Sequence, residues 1–253
     1  MASRAAYLVT VEFRFRSGVV SQLVTRVVFV HGSVGGAEPT WSAQRSLPAR
    51  FECVFVVRGG YPPGPPVERI DFEDQARELA AELRDGDHLV GHSYGGVVSL
   101  LAAAERPVLA SLTVNEPPAF GVARGHPAVE AFVARFEQFD GTTAREYLAF
   151  FLPLVGSAIS LPDPLPPALE QGGRAAMVER TPDQAVIPLD ALAAAQFPKL
   201  VVSGGHSAAF DAVCDVLETR LGAERAVLPG AGHSIPRAPG YNDVLVDFID
   251  RAS

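Results

Sequence analysis

Lysine is almost missing from this chain: of 21 basic residues in 253, only Lys199 is a lysine, and the formal charge is -8. Lysine-centred chemistry therefore has a single candidate, and the lack of a basic stripe argues against a nucleic-acid backbone as partner. Cysteine is scarce too. Cys53 and Cys214 fall in separate apolar stretches and read as buried thiols, so nothing calls for a disulfide framework or an oxidising compartment. The apolar stretch 5–11 is too short to span a bilayer and runs into Glu12, Arg14 and Arg16, which argues against both a secretory leader and a membrane anchor. There is no G-x-x-x-x-G-K-S/T or G-x-G-x-x-G phosphate loop, and no His, Cys, Asp and Glu grouping with metal-ligand spacing. These absences lead to the expectation of a cytoplasmic protein, monomer or homodimer, with no metal, no cofactor, no membrane and no nucleic acid among its partners.

What is present is a large apolar fraction, 48% of the residues, enough for one substantial core. Short β-branched runs alternate with helical patterns. Strands are expected at 26–30, 51–57, 88–90, 109–114, 199–203 and 225–228. Helices are expected between them, within 39–47, from an N-cap at Asp71 to about 85, over 97–105, around 210–221 and over 242–249. The rhythm breaks between Glu116 and about Phe197, where two amphipathic stretches (126–139 and 142–151) precede the proline-rich loop 161–167. That interval reads as a helical insertion. The first 18 residues read as an extension that packs loosely. Alternating strands and helices predict a mostly parallel sheet with helices on both faces and a site at the carboxyl ends of the strands.

The chemistry-bearing residues fall where that geometry demands. Gly91-His92-Ser93-Tyr94-Gly95 matches G-x-S-x-G, with an apolar strand before it and a helix after it. Glycines two positions either side of the serine relieve the crowding of a sharp strand-to-helix turn, which leaves the Ser93 oxygen exposed as a nucleophile. A serine hydroxyl needs a base. Of the six histidines, His233 suits best, because the loop Pro229-Gly230-Ala231-Gly232-His233-Ser234 hangs between the last strand and the last helix. After the first strand, His31-Gly32-Ser33-Val34-Gly35-Gly36 can aim a backbone amide at a developing oxyanion. The donors expected are Tyr94, after the nucleophile, and Ser33, with Val34 as the alternative, each worth on the order of 3 kcal/mol.

Together, the strand leading into His31-Gly32, the 91–96 turn, the insertion and the late Gly232-His233 loop resemble the α/β-hydrolase superfamily over about residues 24–250. The resemblance implies an eight-stranded, mostly parallel sheet, a core of residues 1–116 and 198–253, a helical cap of 117–197, and a triad in the order serine, acid, histidine. One feature departs from the superfamily pattern: where many members carry an aspartate after the strand at 200–203, this chain reads Gly204-Gly205-His206-Ser207. The orienting carboxylate is therefore sought elsewhere. Glu116, at the end of the strand 109–114, is favoured, as in some lactone hydrolases of the superfamily; Asp211, or a dyad without an acid, is the alternative.

Trp41 and Phe120 are expected to line an apolar pocket between sheet and insertion, with Tyr94, Phe150 and Phe151 as further candidates. The reading that follows is a serine esterase or lactonase acting on a small to medium apolar ester or lactone. Thioester hydrolysis or acyl transfer by the same residues, and a non-catalytic ligand-binding member of the fold, are the alternatives.

Overall fold

A computed structural model of the chain describes residues 9–12 and 24–253, except 107 and 158. Its centre is a sheet of seven strands: β1 (Val9–Glu12), β2 (Thr25–Val30), β3 (Phe51–Val57), β4 (His88–His92), β5 (Ser111–Asn115), β6 (Lys199–Ser203) and β7 (Glu224–Val227). The spatial order is β1-β3-β2-β4-β5-β6-β7, with every neighbouring pair parallel except β1 on β3. The six parallel strands coincide with the six β-branched runs of the sequence.

Two expectations change here. The described sheet has seven strands rather than eight, because the sequence supplies only six apolar runs and a single antiparallel edge strand joins them. Of residues 1–18, Val9–Glu12 form that edge strand, and the other positions lie outside the described residues.

The strands at the centre are buried on both faces: Val27, Phe29, Leu89, Leu112 and Val202 are at most 1% exposed. That burial explains why these segments are continuous apolar runs rather than alternating ones. On one face, α2 (Phe72–Glu82), α3 (Tyr94–Glu105), α7 (Leu189–Ala194) and α8 (Ala208–Leu221) pack in a contiguous layer. Helices α1 (Ala37–Thr40) and α9 (Tyr241–Ala252) cover the other. Asp71 caps α2 as its sequence position predicts, its carboxylate accepting the Glu73 amide at 2.9 Å.

Between β5 and β6 the chain makes α4 (Pro127–Phe136), α5 (Ala144–Leu154), α6 (Pro167–Met177) and then α7. A capping box at Thr143 and Glu146 starts α5. Helices α5 and α6 share a small apolar cluster of Tyr147, Leu148, Leu152 and Ala176, which closes around Val34 of the loop after β2. The insertion is thus seated directly on the rim of the sheet where the candidate residues lie. Among the described residues, no helix is long and apolar enough to cross a membrane.

Candidate active site

Ser93 occupies the step between β4 and α3 with φ 53° and ψ -128°, a conformation that side chains other than glycine rarely adopt. The step is tight enough to dictate its neighbours. A β-carbon on Gly91 would lie 2.5 Å from the Ser99 hydroxyl, and one on Gly95 would lie 2.3 Å from the His31 carbonyl oxygen. Only glycine fits at either place. Among the described residues, three that are not glycine have positive φ: Val34 (72°), Ser93 and Glu116 (41°). They stand beyond the ends of β2, β4 and β5, so the backbone strain outside glycine gathers at one edge of the sheet.

That edge brings three predicted residues into contact. His233 Nε2 lies 2.9 Å from Ser93 Oγ, and His233 Nδ1 lies 2.7 Å from Glu116 Oε2. All three are buried, Glu116 completely. A carboxylate only accepts, so Nδ1 carries the proton and Nε2 is free to accept from the serine hydroxyl. The imidazole is wedged between the rings of Phe210 (centroids 4.7 Å apart) and His92 (5.0 Å). Burial, chiefly, pulls His92 down to about 3, so this neighbour stays neutral beside the base.

Glu116 keeps its charge despite its depth. Burial pushes its pKa up, but contacts from His206 and His233 and the Gly204 amide, 2.7 Å from Oε1, outweigh that and hold it at about 2. Asp211 stands apart from this cluster: its Oδ1 accepts from the Ser203 hydroxyl at 2.9 Å and from Arg225 at 3.3 Å.

The loop after β2 has an equally defined support. The Gly35 amide donates to the Ser33 carbonyl at 2.9 Å across Val34, a γ-turn with positive φ. The Ser33 hydroxyl donates to Glu179 Oε2 at 2.5 Å, while Glu179 Oε1 accepts from Tyr61 at 2.8 Å and from Arg58. Arg58 and Glu179 are 2% and 6% exposed, so this is a buried ion pair linking β3 to the segment after α6. Arg58 also donates to the His31 carbonyl and to Gln75. His31 in turn donates from Nδ1 to the Gly32 carbonyl and accepts the Arg58 amide at Nε2, which fixes it as a neutral ring; burial and Arg58 both lower its pKa well below the usual value. Tyr94 opens α3, so its amide has no acceptor within the helix. Neither the Arg58–Glu179 pair nor His206 was anticipated. An arginine after a strand and a glutamate 121 positions later carry no local signal of their pairing.

Two cavities meet at Ser93. The larger, about 430 Å³, runs under the insertion and is walled by the rings of Phe120, Phe132, Phe136, Phe139, Phe151 and Phe210, with Glu137, Glu179 and Asp183 its acidic members and, among the described residues, no lysine or arginine. The smaller, about 60 Å³, lies towards Thr40, Ser157, Ser234 and Arg237. Phe120, Tyr94 and Phe151 therefore face the larger cavity as expected from the sequence. Trp41 does not: it follows α1 directly, is 1% exposed, and packs on Phe29 of β2 (centroids 5.0 Å apart), so it belongs to the core. Phe150 packs on Phe139 and does not border either cavity. No group of three His, Cys, Asp or Glu among the described residues is arranged to hold a metal ion.

Comparison with known proteins agrees with this architecture. The sequence pattern of the alpha/beta hydrolase family matches residues 27–245. An alpha/beta hydrolase from Sphaerobacter thermophilus is 24% identical, with 88% of this chain and 92% of that one covered and a TM-score of 0.62. A structure from a study of carboxylesterases of the thaumarchaeon Nitrososphaera gargenis covers 100% of this chain and 98% of its own at 16% identity, TM-score 0.70. An N-acyl homoserine lactone degrading enzyme is 19% identical over 94% of this chain and 96% of its own, TM-score 0.66. These identities speak to the fold. No curated protein matches the sequence.

Proposed function

Since the chain belongs to the alpha/beta hydrolase family, we propose that it is a serine hydrolase cleaving a small to medium apolar carboxylic ester or lactone through an acyl-enzyme on Ser93. The observation that carries this reading is the continuous run from Ser93 Oγ through His233 to Glu116, at 2.9 and 2.7 Å.

In the proposed reaction His233 Nε2 takes the Ser93 proton as Oγ attacks the substrate carbonyl. Negative charge moves onto the carbonyl oxygen, where the Tyr94 and Ser33 amides receive it. His233, now an imidazolium stabilised by Glu116, gives its proton to the departing alcohol oxygen. Water then enters, loses a proton to the same nitrogen as its oxygen bonds to the acyl carbon, and the imidazolium returns that proton to Ser93 Oγ as the Oγ–acyl bond breaks and the acid leaves. Every proton in the cycle passes through Nε2, and Glu116 stays ionised throughout.

The insertion acts in this reading as a cap over residues 117–197. Its aromatic wall supports an apolar acyl group in the larger cavity, and the lack of a lysine or arginine among the described residues lining it disfavours an acyl group carrying carboxylate or phosphate. The smaller cavity is left for the alcohol. A lactone, whose alcohol and acyl parts are joined, would span both. The lactone-degrading enzyme of similar fold supports that branch, and the carboxylesterases support the open-chain one.

Fluorophosphonate labelling followed by peptide mapping tests the proposal without requiring a known substrate. One adduct, on Ser93, that disappears in His233→Ala is the expected result. A folded protein that takes no label would sink the nucleophile assignment and favour a ligand-binding member of the fold.

A further inference from the structure

Three histidines around the site differ in what their ring nitrogens face. His31 has one acceptor, the Gly32 carbonyl, and one donor, the Arg58 amide, so a neutral ring satisfies both. His233 has the Glu116 carboxylate at one nitrogen and a hydroxyl at the other, which again suits a neutral ring. His206 faces two acceptors. Its Nδ1 stands 3.3 Å from Glu116 Oε1, and its Nε2 stands 3.0 Å from the carbonyl oxygen of Val155, the residue that ends α5. Neither partner has a proton to give, so both contacts are favourable only when the ring carries a proton on each nitrogen.

The placement of this ring is as specific as its chemistry. Glu116 is fully buried and receives His233 on Oε2, while Oε1 is shared by the Gly204 amide and His206. Gly156 has φ 71°, and a β-carbon there would lie 2.4 Å from the His206 ring, so the end of α5 closes against the imidazole. The amide of His233 donates to the Gly156 carbonyl at 3.2 Å, which ties the same turn to the base. One small assembly thus joins the ends of β5, β6 and α5 to the loop carrying His233.

We infer that His206 is a positioning residue: a doubly protonated imidazole that holds Glu116 from the side opposite His233 and fastens the carboxylate to the end of α5. This role rests on the reading of Ser93, His233 and Glu116 given above, and it deepens that reading by adding a regulator of the same site. Its consequence is a pH dependence built from groups facing the ring on every side. Glu116 and the more distant Asp211 of α8 favour its charge, and the Val155 carbonyl of α5 accepts from it. His233, with its ring centre 6.3 Å away, competes for the same carboxylate, and Phe210 covers one face of the His206 ring. Together the contact with Glu116 and the Val155 carbonyl raise the His206 pKa above 6.5 against the effect of burial. When the ring loses its proton, one of its two contacts becomes a meeting of lone pairs and the hold on Glu116 slackens.

Two amide substitutions separate the two contacts. The side-chain amide of His206→Asn can reach the Nδ1 position and donate to Glu116, whereas that of His206→Gln reaches the Nε2 position and donates only to Val155. The experiment combines an NMR titration of the His206 ring with fluorophosphonate labelling rates of Ser93 across pH. The expected ring is doubly protonated at pH 6 and titrates above 6.5. The wild-type labelling rate should fall on the alkaline side, His206→Asn should lack that fall, and His206→Gln should label roughly tenfold or more slowly throughout, the scale of losses seen when the partner that orients a functional ligand is removed. A ring that is neutral at pH 6, or labelling indifferent to both substitutions, would overturn the role of His206 and leave the Ser93 reading standing. Failure of the wild-type protein to label would overturn the Ser93 reading, and this role with it.

Discussion

Gly172 of α6 meets the turn at Val34 so closely that a β-carbon built on it would lie 1.9 Å from the Val34 carbonyl oxygen. The insertion and the loop expected to supply an oxyanion donor therefore share a surface that only a hydrogen at that position permits. Gly172→Ala should push α6 away from the loop or displace Val34 from its strained turn. Overpacking of this kind costs about 1–3 kcal/mol, so we expect a lower melting temperature together with slower labelling of Ser93. Unchanged labelling in a destabilised protein would show that the turn tolerates the shift and that Ser33 does not need this support.

Glu116→Gln preserves the shape of the side chain but removes its charge. Nδ1 of His233 then meets either an amide oxygen or an amide hydrogen, and the latter forces the wrong tautomer on the base. Turnover of an activated ester should drop by a factor of roughly 10² to 10⁴, the upper figure being the loss when a triad acid becomes its amide. The effect should lie in kcat rather than KM, because the carboxylate touches the base and not the substrate. Near-normal turnover would remove Glu116 from the mechanism.

The Arg58–Glu179 pair carries a different expectation. Both partners are almost completely buried, and the same carboxylate accepts from Tyr61 and Ser33. Glu179→Ala strands a guanidinium that cannot lose its charge, and the cost expected for a broken buried pair is about 3–5 kcal/mol. Urea unfolding should show this as a lower midpoint with little change in slope. If Glu179→Ala unfolds at the wild-type midpoint, water or another group already satisfies Arg58.

The sequence discloses its central parallel strands well because they are buried on both faces, and Phe51–Val57 and Lys199–Ser203 end where their apolar runs end. Ser93, His233 and Glu116 were legible for a related reason: each follows a strand on the edge where such sheets place their sites. Other features are legible only in three dimensions. Trp41 reads as a pocket residue because aromatics favour cavities, yet α1 is a single turn and sets the indole on Phe29. Helix α6 escapes notice because Gly172 and Gly173 lower its helical propensity, and the close approach to Val34 that requires glycine is a tertiary contact. His206 lies one residue before Ser207, where an aspartate was sought, and its sequence neighbours say nothing of Val155, 51 positions away.

Acid should unfold the protein through its buried imidazoles. His31 and His92 are neutral in the folded state with lowered pKa values, the latter at about 3, whereas the unfolded chain protonates both near 6.5. The unfolded state therefore binds more protons below 6.5, and stability falls as pH decreases from there. Each ring contributes up to about a factor of ten in the folding equilibrium per pH unit. Glu116, held at about 2, adds its own loss only below about 4.5. His206 runs the opposite way, its stabilising contribution being complete below 6.5 and lost as pH rises through its raised pKa. Thermal melts across pH 3–9 should thus decline on both sides of a maximum near 6.5. In His206→Asn the alkaline decline should shrink and the acid one remain.

The aromatic cavity makes a quantitative demand on substrates. If the acyl chain enters the space walled by Phe120, Phe132, Phe136 and Phe210, each methylene added to a series of aryl esters leaves water for an apolar wall, worth about 0.8 kcal/mol. With that gain expressed in the transition state, kcat/KM should rise roughly fourfold per methylene. The rise has to stop when the cavity of about 430 Å³ is filled, and then reverse as chains press on α4 and α5. Phe132→Ala enlarges the space from the α4 side, so the optimum should move to longer chains while the shortest esters lose rate. A terminal carboxylate on the acyl chain should depress kcat/KM, since the aromatic wall strips its water and, among the described residues lining the cavity, there is no lysine or arginine to pair with it. A flat profile across the series would mean that the acyl group lies outside this cavity, and that the smaller space near Arg237 receives it instead.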